Sequence, residues 1–208
     1  MPPLLFLLSP ASLNGLRARQ LMSPRAKFEL ARQYQTAEGV EIGPAFAFTS
    51  ALYFRGKLAY ASRFAVPCPS VEGPGVFVIT SGYGLVTPDW RITEERMKRM
   101  RRIDIDVSTR NYVKPLREHA QALAHALHSE PDAQLVLLGS VATGKYVDVL
   151  HPILGDKLRF PSAFAGLGDM ARGGLMLRAA RLGTELEYVT LDANRKRLPG
   201  ATGRMPEL

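Results

Sequence analysis

Residues 160–177 read FPSAFAGLGDMARGGLML, and this stretch decides the fold class. A strand end, a Pro161-Ser162 turn, a glycine-rich loop and a helix follow one another. In an α/β protein that order delivers backbone N–H groups, and here Arg172, to one point at the end of a sheet. The ligand that such a point favours is an anion, with phosphate the leading candidate.

Outward from this segment, four short apolar runs read as strands: LLFLL (4–8), GVFVIT (75–80), AQLVLLG (133–139) and ELEYVTL (185–191). Each is nearly unbroken by polar residues, as strands covered on both faces are. Segments 25–35, 53–64, 93–100, 112–128, 146–154 and 170–182 carry helical spacing. In 112–128 the residues Val113, Leu116, His119, Ala120, Leu123 and Leu127 recur every three or four positions, which makes an amphipathic helix. Strands alternating with helices predict a three-layer α/β/α sandwich around a four-stranded, mainly parallel sheet. Proline and glycine mark 67–75 as a loop and 198–208 as a loose tail.

With 208 residues, 46% of them hydrophobic, the chain can bury one good core, so residues 1–208 read as a single domain. Its 27 Lys+Arg against 19 Asp+Glu give a formal charge of +8, which favours a polyanionic partner, with DNA first and RNA not excluded. One cysteine, Cys68, makes neither an intramolecular disulfide nor a four-thiolate metal site, and points to a reducing cytoplasm. The run 4–8 is too short for a membrane span and lacks the basic flank of a signal peptide.

Ligands of doubly wound sheets bind beyond the carboxyl ends of the strands. The segments that follow the strands, 9–15, 80–84, 139–145 and 160–168, are rich in Ser, Thr and Gly. GSVATGK (139–145) has the spacing of a phosphate-cradling loop, but Tyr146 stands where a magnesium-holding hydroxyl belongs. An atypical P-loop nucleotide-binding protein, with Asp192 as a metal-holding carboxylate, is therefore one alternative. ERMKRMRR (95–102) clusters Arg96, Lys98, Arg99, Arg101 and Arg102, which serves either a solvated helix face or a phosphate-facing surface. NRKR (194–197) adds to that surface or belongs to a tail. His119, His125 and His128 share a helix without a carboxylate or cysteine beside them, so no metal is expected.

In their order, these motifs resemble the uracil-DNA glycosylase superfamily from Leu4 to about Leu191. LLFLLSPAS and AFAFTS (45–50) lie where that family has its first strand and loop and its Ala-Phe-Ser segment. GVFVIT and LVLLGSVA (135–142) are similar to its second and third strand motifs, and FPSAFAGLGDMARGGL to its His-Pro-Ser loop and helix. ITSGYGLVTP (79–88) also resembles a signature of bacterial peroxide-stress proteins and of archaeosine-synthase core domains. The departures fall on the chemistry: Ser9-Pro10-Ala11 has no water-activating carboxylate, Phe160 replaces the histidine, and Thr80 replaces the uracil-reading Asn.

The resemblance implies a DNA glycosylase that extrudes a modified, non-uracil base, including bulky bases of the kind found in phage DNA, and hydrolyses its bond to the sugar. It needs no cofactor. Asn14, Asp89 or Asp169 would orient water. Phe48 would stack on the base, while Thr80, Ser81 and the Pro161-Ser162 turn would contact its edge and the charge developing on it. Lys145, Arg172, Arg99 and Arg102 would hold phosphate. The other alternative is a non-catalytic module that binds nucleic acid or a modified base.

Overall fold

Strand β1 (Leu4–Leu8) lies at the centre of the sheet because every one of its residues is apolar and its alternate side chains feed two separate cores. Phe6 and Leu8 enter one hydrophobic cluster, and Leu5 and Leu7 enter the other. A computed structural model of the protein describes residues 1–191, among which the chain forms eight strands and eight α-helices. The expectations placed on Asp192, 194–197 and 198–208 lie outside the described residues.

The strands are β1, β2 (Val40–Glu41), β3 (Val76–Thr80), β4 (Gly84–Val86), β5 (Arg91–Ile92), β6 (Gln134–Leu138), β7 (Leu158–Pro161) and β8 (Tyr188–Val189). Six of them form one sheet in the order β4-β3-β1-β6-β7-β8, while β2 and β5 pair separately. β3, β1, β6 and β7 are parallel; β4 and β8 close the edges in antiparallel pairing. Leu8 is in register with Val78 and with Leu138, so the chain leaves β1, β3 and β6 at the same end of the sheet.

The helices are α1 (Leu16–Leu21), α2 (Glu29–Tyr34), α3 (Ile42–Thr49), α4 (Ala51–Phe64), α5 (Glu94–Arg102), α6 (Arg110–Ala126), α7 (Val147–Leu154) and α8 (Asp169–Leu182). The core under Phe6 and Leu8 takes side chains from α1 to α5 and α8. The core under Leu5 and Leu7 takes them from α6 and α7. None of the helices among the described residues is long and apolar enough to cross a membrane.

Two expectations about the sheet change. It has six strands rather than four, because GLV (84–86) folds back on β3 as a hairpin. The fourth parallel strand is β7, not 185–191, of which only Tyr188–Val189 is a strand, antiparallel at the edge. β7 has only four residues and carries Arg159 in its middle, so no apolar run announces it.

Helices α4 and α8 meet backbone to backbone. A Cβ placed on Gly56 would lie 2.6 Å from the Gly173 carbonyl oxygen, and one on Gly173 would lie 2.8 Å from the Leu52 carbonyl oxygen. Glycine at both positions lets α8 pack directly against α4, which in turn packs on β1.

Candidate active site

The deepest feature at the carboxyl end of the sheet is a lysine that the sequence reading passed over. Lys57 sits on the inward face of α4, with Tyr53, Phe54, Tyr60 and Ala61, and is fully buried. Its Nζ donates to the Ser9 carbonyl oxygen at 2.7 Å and to Ser9 Oγ at 2.8 Å. The ammonium also lies 4.0 Å from the centre of the Tyr53 ring, a cation–π contact that occupies its remaining side. Burial holds the Lys57 amine down at about 7; Asp169 pulls it back up and Arg172 pushes it further down. An amine of this kind is neutral for much of the time at physiological pH, which equips it to accept protons.

Ser9, 4% exposed, is the first residue past β1. Its hydroxyl donates to the Leu138 carbonyl oxygen at 3.2 Å. The close approach of β6 is permitted by Gly139, where a Cβ would fall 2.9 Å from that of Ser9. Tyr53 and Tyr146 stand beside Ser9. Burial pushes both phenols up, Tyr146 to about 12, so both are neutral donors at working pH. The Tyr53 hydroxyl is buried and has no hydrogen bond of good geometry among the described residues, although Arg172 and Ser9 lie next to it.

Next to this cluster opens a cavity of about 610 Å³, lined by Pro10, Asn14, Phe46, Ser81, Arg101 and Lys145 among others. Its size suits a nucleotide-sized ligand. One rim is the end of α5, whose Arg99, Arg101 and Arg102 are exposed in its last turn. Thr93 caps the start of that helix at 3.4 Å, with Glu94 and Glu95 in the first turn. The charge run therefore complements the helix dipole, and only its Arg101 lines the cavity. Arg99 lies over the Tyr83 ring, 4.9 Å from its centre.

The structure brings some of the expected residues together here. Asn14, Ser81 and Lys145 line the cavity. Asp169 and Arg172 begin α8, 3.8 Å apart, and act electrostatically on Lys57. Arg172, however, is already held: it donates to the Phe164 carbonyl oxygen from Nε at 3.3 Å and from Nη2 at 3.1 Å. It positions the loop before α8 more than it offers a free phosphate ligand. Ser81 likewise donates to the Met100 carbonyl oxygen at 2.7 Å, tying the exit of β3 to α5.

Other expectations are corrected. Thr80 is fully buried, donating to the Gly84 carbonyl oxygen and accepting from the Tyr83 N–H; the β3–β4 hairpin uses its hydroxyl, which leaves nothing for a base edge. Pro161 is a buried end of β7, and Ser162 spends both its N–H and its hydroxyl on Glu187. Phe48 has one face covered by Phe28, with ring centres 5.0 Å apart, and Arg17 over the ring at 6.0 Å; Phe46, two residues earlier, is the one that borders the cavity. Asp89 follows β4 back toward the start of β3, where it accepts from Thr87 in a cleft that Val76 also lines. It is at the wrong end of the sheet to orient water in this site.

The loop 139–145 departs from a phosphate cradle too. Its following helix starts at Val147, and a Cβ on Gly144, whose φ is +68°, would lie 2.4 Å from Asp148 Oδ2. A carboxylate that close repels the anion the loop would have to hold. Among the described residues no group of three or more His, Cys, Asp or Glu side chains is placed to bind a metal ion.

Lys57 did leave a trace in the sequence. Tyr53, Phe54, Lys57, Tyr60 and Ala61 follow the one, two, five, eight, nine spacing of a buried helical face, and a lysine in that register is rarely buried without a partner. No family model, no curated protein and no solved structure matches the chain.

Proposed function

We propose that this protein is a DNA glycosylase that extrudes a modified base other than uracil and hydrolyses its bond to the sugar, on a fold of the uracil-DNA glycosylase kind. The observation that carries this reading is the cavity at the carboxyl ends of β1 and β3, large enough for a flipped nucleotide and lined by Arg101 and Lys145 together with Asp104 and Asp106, with the exposed Arg99 and Arg102 of α5 near by in sequence. A flipped base needs a pocket beside a cationic surface that holds the backbone. The mainly parallel central strands β3-β1-β6-β7 are compatible with such a fold, and the reading of the family rests on the sequence motifs alone. The missing carboxylate in the first loop, together with Thr80 in place of Asn, points away from uracil as the natural base.

The test is incubation with duplex and single-stranded oligonucleotides carrying uracil, hypoxanthine or bulky modified pyrimidines, followed by assay of free base and alkali-labile sites. Base release confined to one modified base supports the proposal. Salt-sensitive DNA binding with no release from any oligonucleotide would replace it with a non-catalytic binding module. The nucleotide-binding alternative has Asp148 against it and predicts magnesium-dependent ATP or GTP binding that Lys145→Ala abolishes.

A further inference from the structure

Resting on the glycosylase reading, one question is which group takes a proton from the attacking water, given that no carboxylate follows β1 and that the cavity's two carboxylates, Asp104 and Asp106, are exposed to solvent beyond the end of α5. We propose that Ser9 and Lys57 form the proton-accepting pair of this site, the Ser9 hydroxyl taking a proton from water while passing its own to the Lys57 amine.

The geometry argues for this in three ways. The pair is already in contact at 2.8 Å, within the reach expected of a nucleophile or relay group and its base. When Lys57 is neutral the bond reverses, and the serine O–H donates to the amine lone pair. Ser9 is the first residue beyond the central strand; it is buried and lines no cavity itself, but its chain neighbour Pro10 lines the large one, so a water reaches its hydroxyl only from behind Pro10. The base is also oriented by a third contact, the Tyr53 ring, which fixes the ammonium once it forms. The buried Tyr53 hydroxyl, which makes no hydrogen bond of good geometry, stands beside Ser9, where it can steady the charge that develops on the serine oxygen.

In the step, the water oxygen bonds to the sugar C1′ and one water proton moves to Ser9 Oγ. The Ser9 proton moves to Lys57 Nζ. The C1′–N bond breaks with its electron pair going to the base, which leaves as an anion and takes up a proton from solvent. Lys57 then returns its proton to solvent. The charged and titratable groups facing the amine are Tyr53 on its own helix and Asp169 and Arg172 on α8, with Tyr146, ahead of α7, next to Tyr53 and Ser9. The phenols stay neutral across the working range, so they do not share the titration.

The experiment is single-turnover base release from the oligonucleotide of the panel that the wild-type protein cleaves, followed from pH 5.5 to 9. Lys57 is titrated in parallel by NMR with ε-carbon-labelled lysine. The expected result is a rate that climbs tenfold per pH unit and levels off at the Lys57 midpoint, near 7. Lys57→Met and Ser9→Ala should each lose the limb and about 10²- to 10⁴-fold in rate, with DNA binding retained. Should Lys57→Met fail to fold, coincidence of the wild-type kinetic and NMR midpoints carries the test. Base release with a flat profile, or a limb that survives in Lys57→Met, would overturn the pair and leave the glycosylase standing. No release from any oligonucleotide would overturn both.

Discussion

Exchanging Lys57 for methionine should change how stability depends on pH, and the sign and size follow from the burial of one amine. In the unfolded chain a lysine titrates near its ordinary 10.5, whereas the folded protein holds Lys57 at about 7. Between those values the unfolded state keeps a proton that the folded state has lost, so stability rises with pH across this window. Below about 7 both states are protonated, and the burden of the buried charge is constant. The slope is about 1.4 kcal/mol per pH unit. The gap in unfolding free energy between wild type and Lys57→Met should therefore widen by about 2–3 kcal/mol from pH 7.5 to 9.5, in favour of the wild type. Other titrating groups are common to both proteins and cancel in the difference. Near neutrality the variant loses the donors to Ser9, which costs about 1–3 kcal/mol, but also loses a buried charge, so the absolute gap there is small. Urea titrations at four or five pH values, extrapolated linearly, measure the gap. A difference that stays constant across the range would refute the claim that Lys57 is buried and depressed.

Gly173→Ala should cost about 3 kcal/mol, read as a lower urea midpoint, because its methyl would push α8 off the Leu52 carbonyl. Gly174→Ala next to it, with nothing within 4 Å of the added carbon, should instead gain roughly 0.5–1 kcal/mol from helix propensity. Thr80→Val leaves the Gly84 carbonyl and Tyr83 N–H without the hydroxyl they share, and should lower unfolding free energy by about 1–3 kcal/mol. Arg99→Ala with Arg102→Ala should weaken DNA binding regardless of sequence and flatten the salt dependence of log Kd by nearly one per lost phosphate contact, measured by fluorescence anisotropy.

The central strands were legible because their side chains are buried on both faces, leaving runs such as LLFLL and LVLL with no polar break. Helix α6 was legible because only one of its faces is buried. Of β7 only the end at Phe160 showed, because the strand is too short for a pattern, and α3 did not show at all, because IGPAFAFT has apolar residues nearly all round. At the site, Asn14, Ser81 and Lys145 followed from the rule that ligands sit beyond carboxyl ends. Thr80 and Ser162 failed because turns and edge strands consume hydroxyls, which composition cannot reveal. Lys57 was missed because its burial against Ser9 is a tertiary contact 48 residues apart in the chain, and the charges acting on it, Asp169 and Arg172, lie more than a hundred residues downstream on α8.

That separation has a consequence for the growing chain. Lys57 and Ser9 leave the ribosome early, yet the two charges that α8 brings to bear on the amine, Asp169 raising it and Arg172 lowering it by less, come late, as does Gly173 of the glycine seam. Until α8 has emerged and docked on α4, the Lys57 amine is without either of these charges. A nascent or truncated chain would carry the basic face of α5 and both groups of the proposed pair, with the amine not yet in the surroundings that set it in the folded protein.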